Sequence, residues 1–483
     1  MSANADPDAG QGSGRGPGQG PGQGAGQGAG PSAALAAFAT RLRFEHIPGP
    51  VLDIARKHIL DALGIAVAST TFPFAGPTLA AVEALSAGGR GTVIGSAVGV
   101  APRDAAMANG VLMHGLDYDD THLQAIVHAT VAVLPAVLAV GERQGASGRD
   151  ALAAFCIGME AAVRLGAAVK GGFHHTGFHA TGVLAHFSSA LAAGRLTGAS
   201  EADHVNALGI AASTASGIQV FLEEGAWTKR LHPGWAAAGG MTAACLAQAG
   251  FKGPSRALEG RFGLFETHLH HWAAEVDPRF LTEGLGEVWM LADTALKPYP
   301  VCHFIHGAAD AALELRDELG GAEIAAVEIR LPRDTLAIVA EPIEAKRRAR
   351  NEYEAKFSAP FVVASTLLRG RFGLADLSEA AIADPATRAL AARCSCLADP
   401  DSRFPEYFSG GVALRLADGR VLSKHVPINS GAGARRMSLD ETSAKFFLNA
   451  GLARDAAGAA AIRAAVLDLE SGGLAPLMQA LRG

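Results

Sequence analysis

The feature that most constrains this chain is a series of long apolar stretches, several of them rich in Ala, Gly and Ser, in which apolar residues recur at helical spacing. In the stretch 50–69, Val51, Ala55, Ile59 and Leu63 lie on one helical face. Small side chains let helix axes approach closely, so we expect a compact all-helical body. The predicted helices cover residues 50–69, 129–143, 149–169, 180–195, 204–212 and 234–249, with a kink at Pro135 in the second.

The pattern changes after about residue 293. Residues 322–331 alternate in part like a strand, and the segments 411–416 and 420–426 flank an Ala-Asp-Gly turn typical of a hairpin. Charged stretches between them, 341–354 and 377–394, are predicted to be helical, and residues 438–481 return to helix. The sequence therefore predicts a mainly α fold, with a helical domain (33–292 and 428–483) completed by the C-terminus and an inserted α+β domain (293–427).

Several classes of protein are disfavoured. Residues 1–32 are expected to be disordered, because Gly occupies every even position from 10 to 30 and the segment has nothing to bury. The formal net charge is −6 without a block of Lys and Arg, which argues against nucleic acid as a partner. Five scattered cysteines, no signal peptide pattern and no apolar run long enough to span a bilayer favour a cytoplasmic protein without a membrane partner.

The densest polar cluster lies at residues 114–128, where Asp117, Thr121 and His128 stand among two further acids and two further histidines. Asp117 and Thr121 share a face if the turn is helical, and His128 precedes a predicted helix N-terminus that favours an anion. A solvated capping loop is the alternative interpretation. The stretch also matches the D-x-D-D-T motif of class II terpene cyclases, whose aromatic-lined cavities suit a chain with four Trp and four Tyr poorly.

Three more clusters carry candidate residues. His179 stands before Thr181 and Gly182, Lys229 and His232 precede a Pro-Gly pair, and Lys297 and Tyr299 alternate with two prolines. Cations and imidazoles ahead of a helix start can form an anion site, and the prolines could direct Lys297 into an interdomain cleft. Structural histidines and a basic surface turn are the alternatives. None of these clusters has the spacing of a metal site, so no metal ligand is predicted.

With these clusters in order, the sequence resembles the MmgE/PrpD family over essentially all of residues 33–483. The matching segments are 61–65, 109–121, 128 with 134–136, 179–182, 227–234, 250–253 with 258–260, 297–306 and 357–358. The family includes 2-methylcitrate dehydratases, cis-aconitate decarboxylases and iminodisuccinate epimerases. The resemblance implies a helical domain, a smaller lid domain, a homodimer, and catalysis on a small carboxylate without a metal or organic cofactor.

The resemblance also implies site residues. The active-site acid and hydroxyl of the family fall on Asp117 and Thr121, its two histidines on His128 and His179, and its two lysines on Lys229 and Lys297. We add His232 and Tyr299 as predicted substrate-binding residues.

The sequence departs from the family pattern at three places. Ala129-Thr130 stands where Pro-Ser is expected, Ala180 where Pro is common, and Phe361 where many relatives carry Tyr, which removes a phenol donor from the lid.

Three functions follow as hypotheses. The preferred hypothesis is a hydro-lyase that acts on a small di- or tricarboxylate, similar to 2-methylcitrate dehydratase, in which a base removes the proton next to a carboxylate and a histidine protonates the departing hydroxyl. The second is decarboxylation or epimerisation through the same carbanion, which Lys229 and Lys297 would stabilise. The third is a carboxylate-binding protein without catalytic activity.

Overall fold

The computed structural model describes residues 30–483, which are 58% helix and 8% strand. The predicted mainly α fold is confirmed, with small sheets only. The predicted tail lies almost wholly outside the described residues, but Pro31 and Ser32 belong to the first helix and are buried, so the predicted tail extends two residues too far. The helices before residue 290 are α1 Pro31–Arg41, α2 Gly49–Ser69, α3 Ala75–Leu85, α4 Pro102–His114, α5 Leu134–Gln144, α6 Gly148–Ala168, α7 Gly172–His175, α8 Ala180–Leu196, α9 Glu201–Ala212, α10 Phe221–Glu224, α11 Thr228–Gln248, α12 Leu264–Leu269 and α13 Arg279–Thr282.

Small residues bring the central helices together as predicted. A Cβ atom added at Gly110 of α4 would lie 2.4 Å from the Cα of Gly234 in α11, and one added at Gly240 would lie 2.7 Å from the backbone of α8. Helix α6 is long and apolar enough to cross a membrane by length and composition, but it is buried inside the protein and packs against α8. This packing is that of a core helix in a globular body.

The later part of the chain contains a four-stranded sheet in the order β6-β5-β7-β8. Strands β5 and β6 are parallel and the other neighbours are antiparallel, with Val327 of β5 opposite Cys394 of β6 and Leu414 of β7. Its helices are α14 His306–Arg316, α15 Leu336–Val339, α16 Ile343–Lys346, α17 Glu352–Lys356, α18 Ala359–Arg369, α19 Glu379–Ile382 and α20 Pro385–Ala391. The strands of the whole chain are β1 Gly91–Thr92, β2 Gly99–Val100, β3 Thr121–His122, β4 Thr294–Ala295, β5 Ile324–Leu331, β6 Cys394–Ala398, β7 Gly410–Leu416 and β8 Val421–Val426.

The C-terminal helices pack on the N-terminal body. They are α21 Leu439–Ala450, α22 Ala456–Leu467, α23 Leu469–Gly472 and α24 Leu474–Leu481, and α21 lies along α2. Phe446 and Leu477 are buried in the same apolar core as Leu35 and Leu291, whereas most residues of a second core lie between Tyr299 and Val426.

Four local predictions are corrected. Helix α5 begins at Leu134, so Pro135 occupies its first turn, where a proline needs no amide partner and produces no kink. Helix α11 begins at Thr228 and contains Pro233, instead of starting after it. The predicted helix 341–354 is two short helices, α16 and α17. The predicted helix 377–394 is α19 and α20, and Cys394 begins strand β6.

Candidate functional site

A cavity that is partly open to solvent, with about 550 Å³ of space between its walls, lies where the two apolar cores meet. Both parts of the chain line it, with Phe221 and Ile126 from the helical body facing Phe357, Ile338 and Phe408 from the later part. Six of the eight predicted site residues are among its lining residues, namely Asp117, Thr121, His128, His179, Lys229 and Lys297.

Local structure explains why these distant residues meet. Asp117 lies in the turn after α4 with a positive φ of 51°, and Lys229 lies in the first turn of α11, which packs against α4. The two-residue strands β3 and β4 pair with Thr121 opposite Ala295, and this brings Lys297 beside the Asp117 loop. His179 caps the start of α8 and donates its backbone N–H to the Gly217 carbonyl at 2.8 Å.

Asp117 bridges the two lysines. The Nζ atoms of Lys229 and Lys297 donate to its Oδ1 at 2.8 Å and 3.0 Å, and Lys297 also donates to the Asp117 carbonyl at 2.9 Å. Burial raises the pKa of the Asp117 carboxyl, but the two ammonium groups outweigh it and hold that pKa well below its usual range. Two ammonium groups therefore lie side by side in the cavity wall, where together they can bind an anion.

His128 is held in one tautomer. Its Nδ1 lies 2.8 Å from the main-chain oxygen of Asp120, which can only accept, so Nδ1 carries the proton and Nε2 has the lone pair. Its backbone N–H donates to the Thr181 hydroxyl at 3.1 Å. Burial lowers the pKa of His128 well below its usual range, and the nearby His114 and lysines add to this against Asp119, which raises it. The free protein therefore presents a neutral imidazole.

His179 is supported by a second imidazole. Its Nδ1 lies 3.0 Å from the Nδ1 of His232, so one ring donates to the other. Burial, followed by the neighbouring His232, lowers the pKa of His179 well below its usual range. Burial also lowers the pKa of His232 to about 4.

Neither His232 nor Tyr299, the two further predicted substrate-binding residues, is among the described residues that line the cavity. The ring of His232 stands behind His179 and orients it. The hydroxyl of Tyr299 donates to the carboxylate of Asp310 at 2.7 Å. Phe361, where we expected a phenol to be missing from the site, also lies away from this lining and packs edge-on against Phe372.

The structure adds three residues that the sequence did not assign to the site, namely His114, Asp119 and His303. His114 Nδ1 lies 2.8 Å from the carboxylate of Asp119, and the His114 ring is 4.7 Å from that of His128. His303 lines the cavity, and its Nε2 contacts the Asn429 amide at 3.0 Å. Its Nδ1 is buried without a hydrogen-bond partner among residues 30–483. Their signals were present, because His114 and Asp119 belong to the cluster 114–128 and His303 follows Lys297 by six positions.

Burial also shapes the charge of these added groups. It raises the pKa of the Asp119 carboxyl, but the adjacent His114 and His128 outweigh it and keep this acid ionised. Burial lowers the pKa of His303 well below its usual range. Nitrogen atoms of His114, His128 and His179 lie within 4.8 Å of one another, so the fold assembles a possible ligand set that the linear spacing does not show.

Comparison with known proteins identifies two family models. The MmgE/PrpD N-terminal domain matches residues 33–277, and the MmgE/PrpD C-terminal domain matches residues 299–471. A cis-aconitate decarboxylase of Aspergillus terreus (strain NIH 2624 / FGSC A1156) is 30% identical over 293 residues, which span 59% of this chain and 60% of that protein. The cis-aconitate decarboxylase of Homo sapiens is 29% identical over 86% of this chain and 87% of its own length. A 2-methylcitrate dehydratase of Cupriavidus necator is 25% identical over 79% of this chain and 82% of its own length.

Proposed function

The chain belongs to the MmgE/PrpD family, and from this membership and the geometry of the cavity we propose that it is a lyase acting on a small tricarboxylate without a bound cofactor. The observation that carries the proposal is the meeting of Lys229 and Lys297 at Asp117, beside two histidines with depressed pKa values. Decarboxylation of a cis-aconitate-like acid is the preferred reaction, because the decarboxylases are more similar to this chain than the dehydratase is. This choice reverses the order of preference that the sequence suggested.

The lysines act on the charge that develops during the reaction. When a carboxylate leaves as carbon dioxide, its bond electrons form a new double bond and the existing double bond shifts, so negative charge builds on the carbon beside a second carboxylate. Fixed ammonium groups in a site shielded from water stabilise that charge far better than bulk water does. Lys229 and Lys297 bind the carboxylate oxygens in this scheme, and Asp117 holds both side chains in place.

The histidines deliver the proton that completes the reaction. His128 and His179 are neutral in the free protein, and a bound trianion raises their pKa values because it favours the charged imidazolium. One of them then protonates the carbon chain, which balances the loss of carbon dioxide. Thr121 donates a hydrogen bond to the substrate. His303 faces the same cavity and is the third proton carrier within reach.

Dehydration is the second candidate, and the similarity to a 2-methylcitrate dehydratase favours it. The same site serves this reaction when the neutral His128 removes the proton next to a carboxylate and a second imidazole protonates the departing hydroxyl.

We also propose that the residues 293–427 act as a lid and that the protein is a homodimer. His303, Ile338, Phe357 and Phe408 cover the cavity from that side, and closure would exclude water from the lysines. For the dimer, Leu231, Trp235 and Leu246 on the outer face of α11 are at least one-third exposed, an apolar face that a second copy would cover.

Proton NMR in deuterated water tests the activity. The full chain is incubated with cis-aconitate, citrate, 2-methylcitrate and iminodisuccinate isomers. The proposal predicts loss of carbon dioxide from cis-aconitate, with one solvent deuterium in the product, and an alkene from 2-methylcitrate identifies the dehydratase instead. Inversion without loss of either group identifies an epimerase. Thermal stabilisation by these acids without turnover, unchanged in His128→Gln, would leave only a binding protein and overturn the proposal.

A further inference from the structure

Three buried imidazoles converge on one side of the cavity. The ring centroid of His114 lies 4.7 Å from that of His128 and 5.6 Å from that of His179, and His128 and His179 are 5.9 Å apart. One nitrogen from each ring lies within 4.8 Å of the others. The three residues come from separate segments, so the fold assembles them.

Groups behind two of the rings set the tautomers that metal ligation requires. The ionised carboxylate of Asp119 accepts the Nδ1–H of His114, and the Asp120 carbonyl accepts the Nδ1–H of His128. In each ring this leaves the lone pair on Nε2. The Nε2 of His114 is buried and has no hydrogen-bond partner within the described part of the chain. Carboxylate and carbonyl groups behind imidazoles are the arrangement found around metal-binding histidines.

We propose that His114, His128 and His179 form an inhibitory site for a borderline divalent transition-metal ion of the Zn²⁺ class. Neutral imidazoles suit such ions, whereas Mg²⁺ and Ca²⁺ prefer oxygen ligands. Zn–N bonds of about 2.0–2.1 Å place tetrahedral ligand atoms about 3.4 Å apart, so nitrogen atoms that lie within 4.8 Å of one another need to approach by at most about 1.4 Å. The side chains of Asp117 and Asp119 offset the charge of the two lysines beside the ion.

The bound ion inhibits the reaction in two ways, because it occupies part of the cavity and also blocks proton transfer. His128 and His179 cannot carry a proton on the nitrogen that holds a metal, so metal binding removes the proton carriers. This inhibition rests on the proposed function, while the metal site itself does not.

Binding is tested first, without turnover. The full chain, freed of any affinity tag and treated with EDTA before transfer to chelator-free buffer, is titrated with Zn²⁺ against a chromophoric chelator at pH 7.5. We expect one site per chain, weakened at least tenfold in His128→Gln and in His179→Gln, and about 10–100-fold in Asp119→Asn, which removes the acceptor behind His114. The control is His271→Gln, an exposed histidine beside Trp272, which should leave the affinity unchanged.

Two further measurements keep the proposal open to refutation. Co²⁺ in place of Zn²⁺ should give the visible absorption of a nitrogen-ligated ion, lost in His128→Gln, and circular dichroism checks that each variant is folded. Zn²⁺ buffered by nitrilotriacetate should inhibit turnover, and EDTA should restore it. No Zn²⁺ binding by the parent protein, or binding that none of His128→Gln, His179→Gln and Asp119→Asn weakens, overturns the site. Binding that these three variants weaken, in a protein that turns over none of the acids, refutes the proposed function and leaves the metal site standing.

Discussion

Asp120 accepts the Nδ1–H of His128 on its main-chain oxygen at 2.8 Å, while its side chain has a different set of partners. The carboxylate contacts the His58 ring at 2.6 Å and accepts from both the backbone N–H and the hydroxyl of Thr130. One residue therefore fixes the chain on both sides of Ala129 and sets the tautomer of His128. Thr130, which departs from the family's Ser, keeps the hydroxyl that this arrangement uses.

Thr130 should accordingly tolerate Ser and not Val. Thr130→Val removes a hydrogen bond to a buried carboxylate and should lower the free energy of unfolding by about 1.5–3 kcal/mol. It should also lower kcat more than it changes KM, because the orientation of His128 is disturbed while the lysines remain. Urea denaturation and steady-state kinetics measure both effects. Thr130→Ser is the matched control and should stay close to the parent protein; equal losses in both variants would show that the hydroxyl is unimportant.

Replacement of Lys297 tests the role of the lysine pair around Asp117. Lys297→Met removes the hydrogen bonds from this buried ammonium group to Asp117, while Lys229 still neutralises the carboxylate, so the free energy of unfolding should fall by about 1.5–3 kcal/mol. We expect kcat/KM to fall at least 100-fold, and Asp117→Asn in the same chain should lower the stability further, because it leaves the buried Lys229 without its carboxylate partner. The exposed Lys252→Met serves as the control in both assays. Full activity in Lys297→Met would contradict the proposed role of the pair.

Acid should destabilise the protein through its buried histidines. Burial lowers the pKa of His204 to about 4, against about 6.5 in an unfolded chain. Between these values the unfolded state binds more protons, so stability is fully present above pH 6.5 and falls as the pH drops towards 4. His204 alone should contribute a loss of about 1 kcal/mol between pH 6.5 and 5.5. Urea midpoints across this range should decline less steeply in His204→Gln than in the parent protein, and parallel curves would refute the assignment.

The contact between α4 and α11 should be intolerant of a single methyl group. Gly110→Ala places a Cβ atom 2.4 Å from the Cα of Gly234, and backbone cannot rotate away as a side chain can. We expect a loss of about 1–3 kcal/mol in the free energy of unfolding and a drop in activity, since α11 carries Lys229 and α4 leads to Asp117. Gly373→Ala is the control, because the backbone there is extended (φ −151°) and, apart from its chain neighbours, no atom of the described chain lies within 4 Å of the added Cβ. It should leave stability unchanged or raise it by up to about 1 kcal/mol.

Helical periodicity was a sufficient guide where one face of a long helix is buried throughout. It predicted α2 and α6 to within a residue or two at each end. It failed between residues 341 and 394, where short helices are separated by turns and Cys394 enters a parallel pair with β5. Parallel pairing is decided by a strand more than 60 residues away, so local pattern carries little information about it.

The site was predictable as a set of polar clusters but not as a geometry. Asp117 and Lys297 are 180 residues apart, and their contact depends on the pairing of β3 with β4, two strands too short to have a recognisable pattern. The sequence did not show that His232 and Tyr299 lie outside the cavity lining, because a polar residue near a cluster can face either the cavity or a supporting partner. Which direction it faces follows from tertiary packing, as the Asp310 partner of Tyr299 shows.

The short β3–β4 ladder has a consequence for how this protein can diversify. One ammonium group of the binding site reaches the cavity from the helical body and the other arrives along β4 from the far end of that ladder. Replacement of either half by that of a distant relative would bring in only one of the two lysines, and the two ammonium groups would have to meet to within about 0.5 Å of their productive geometry. The substrate preference of such a chimaera would therefore depend on how the two halves pack against each other, and neither half would determine it alone.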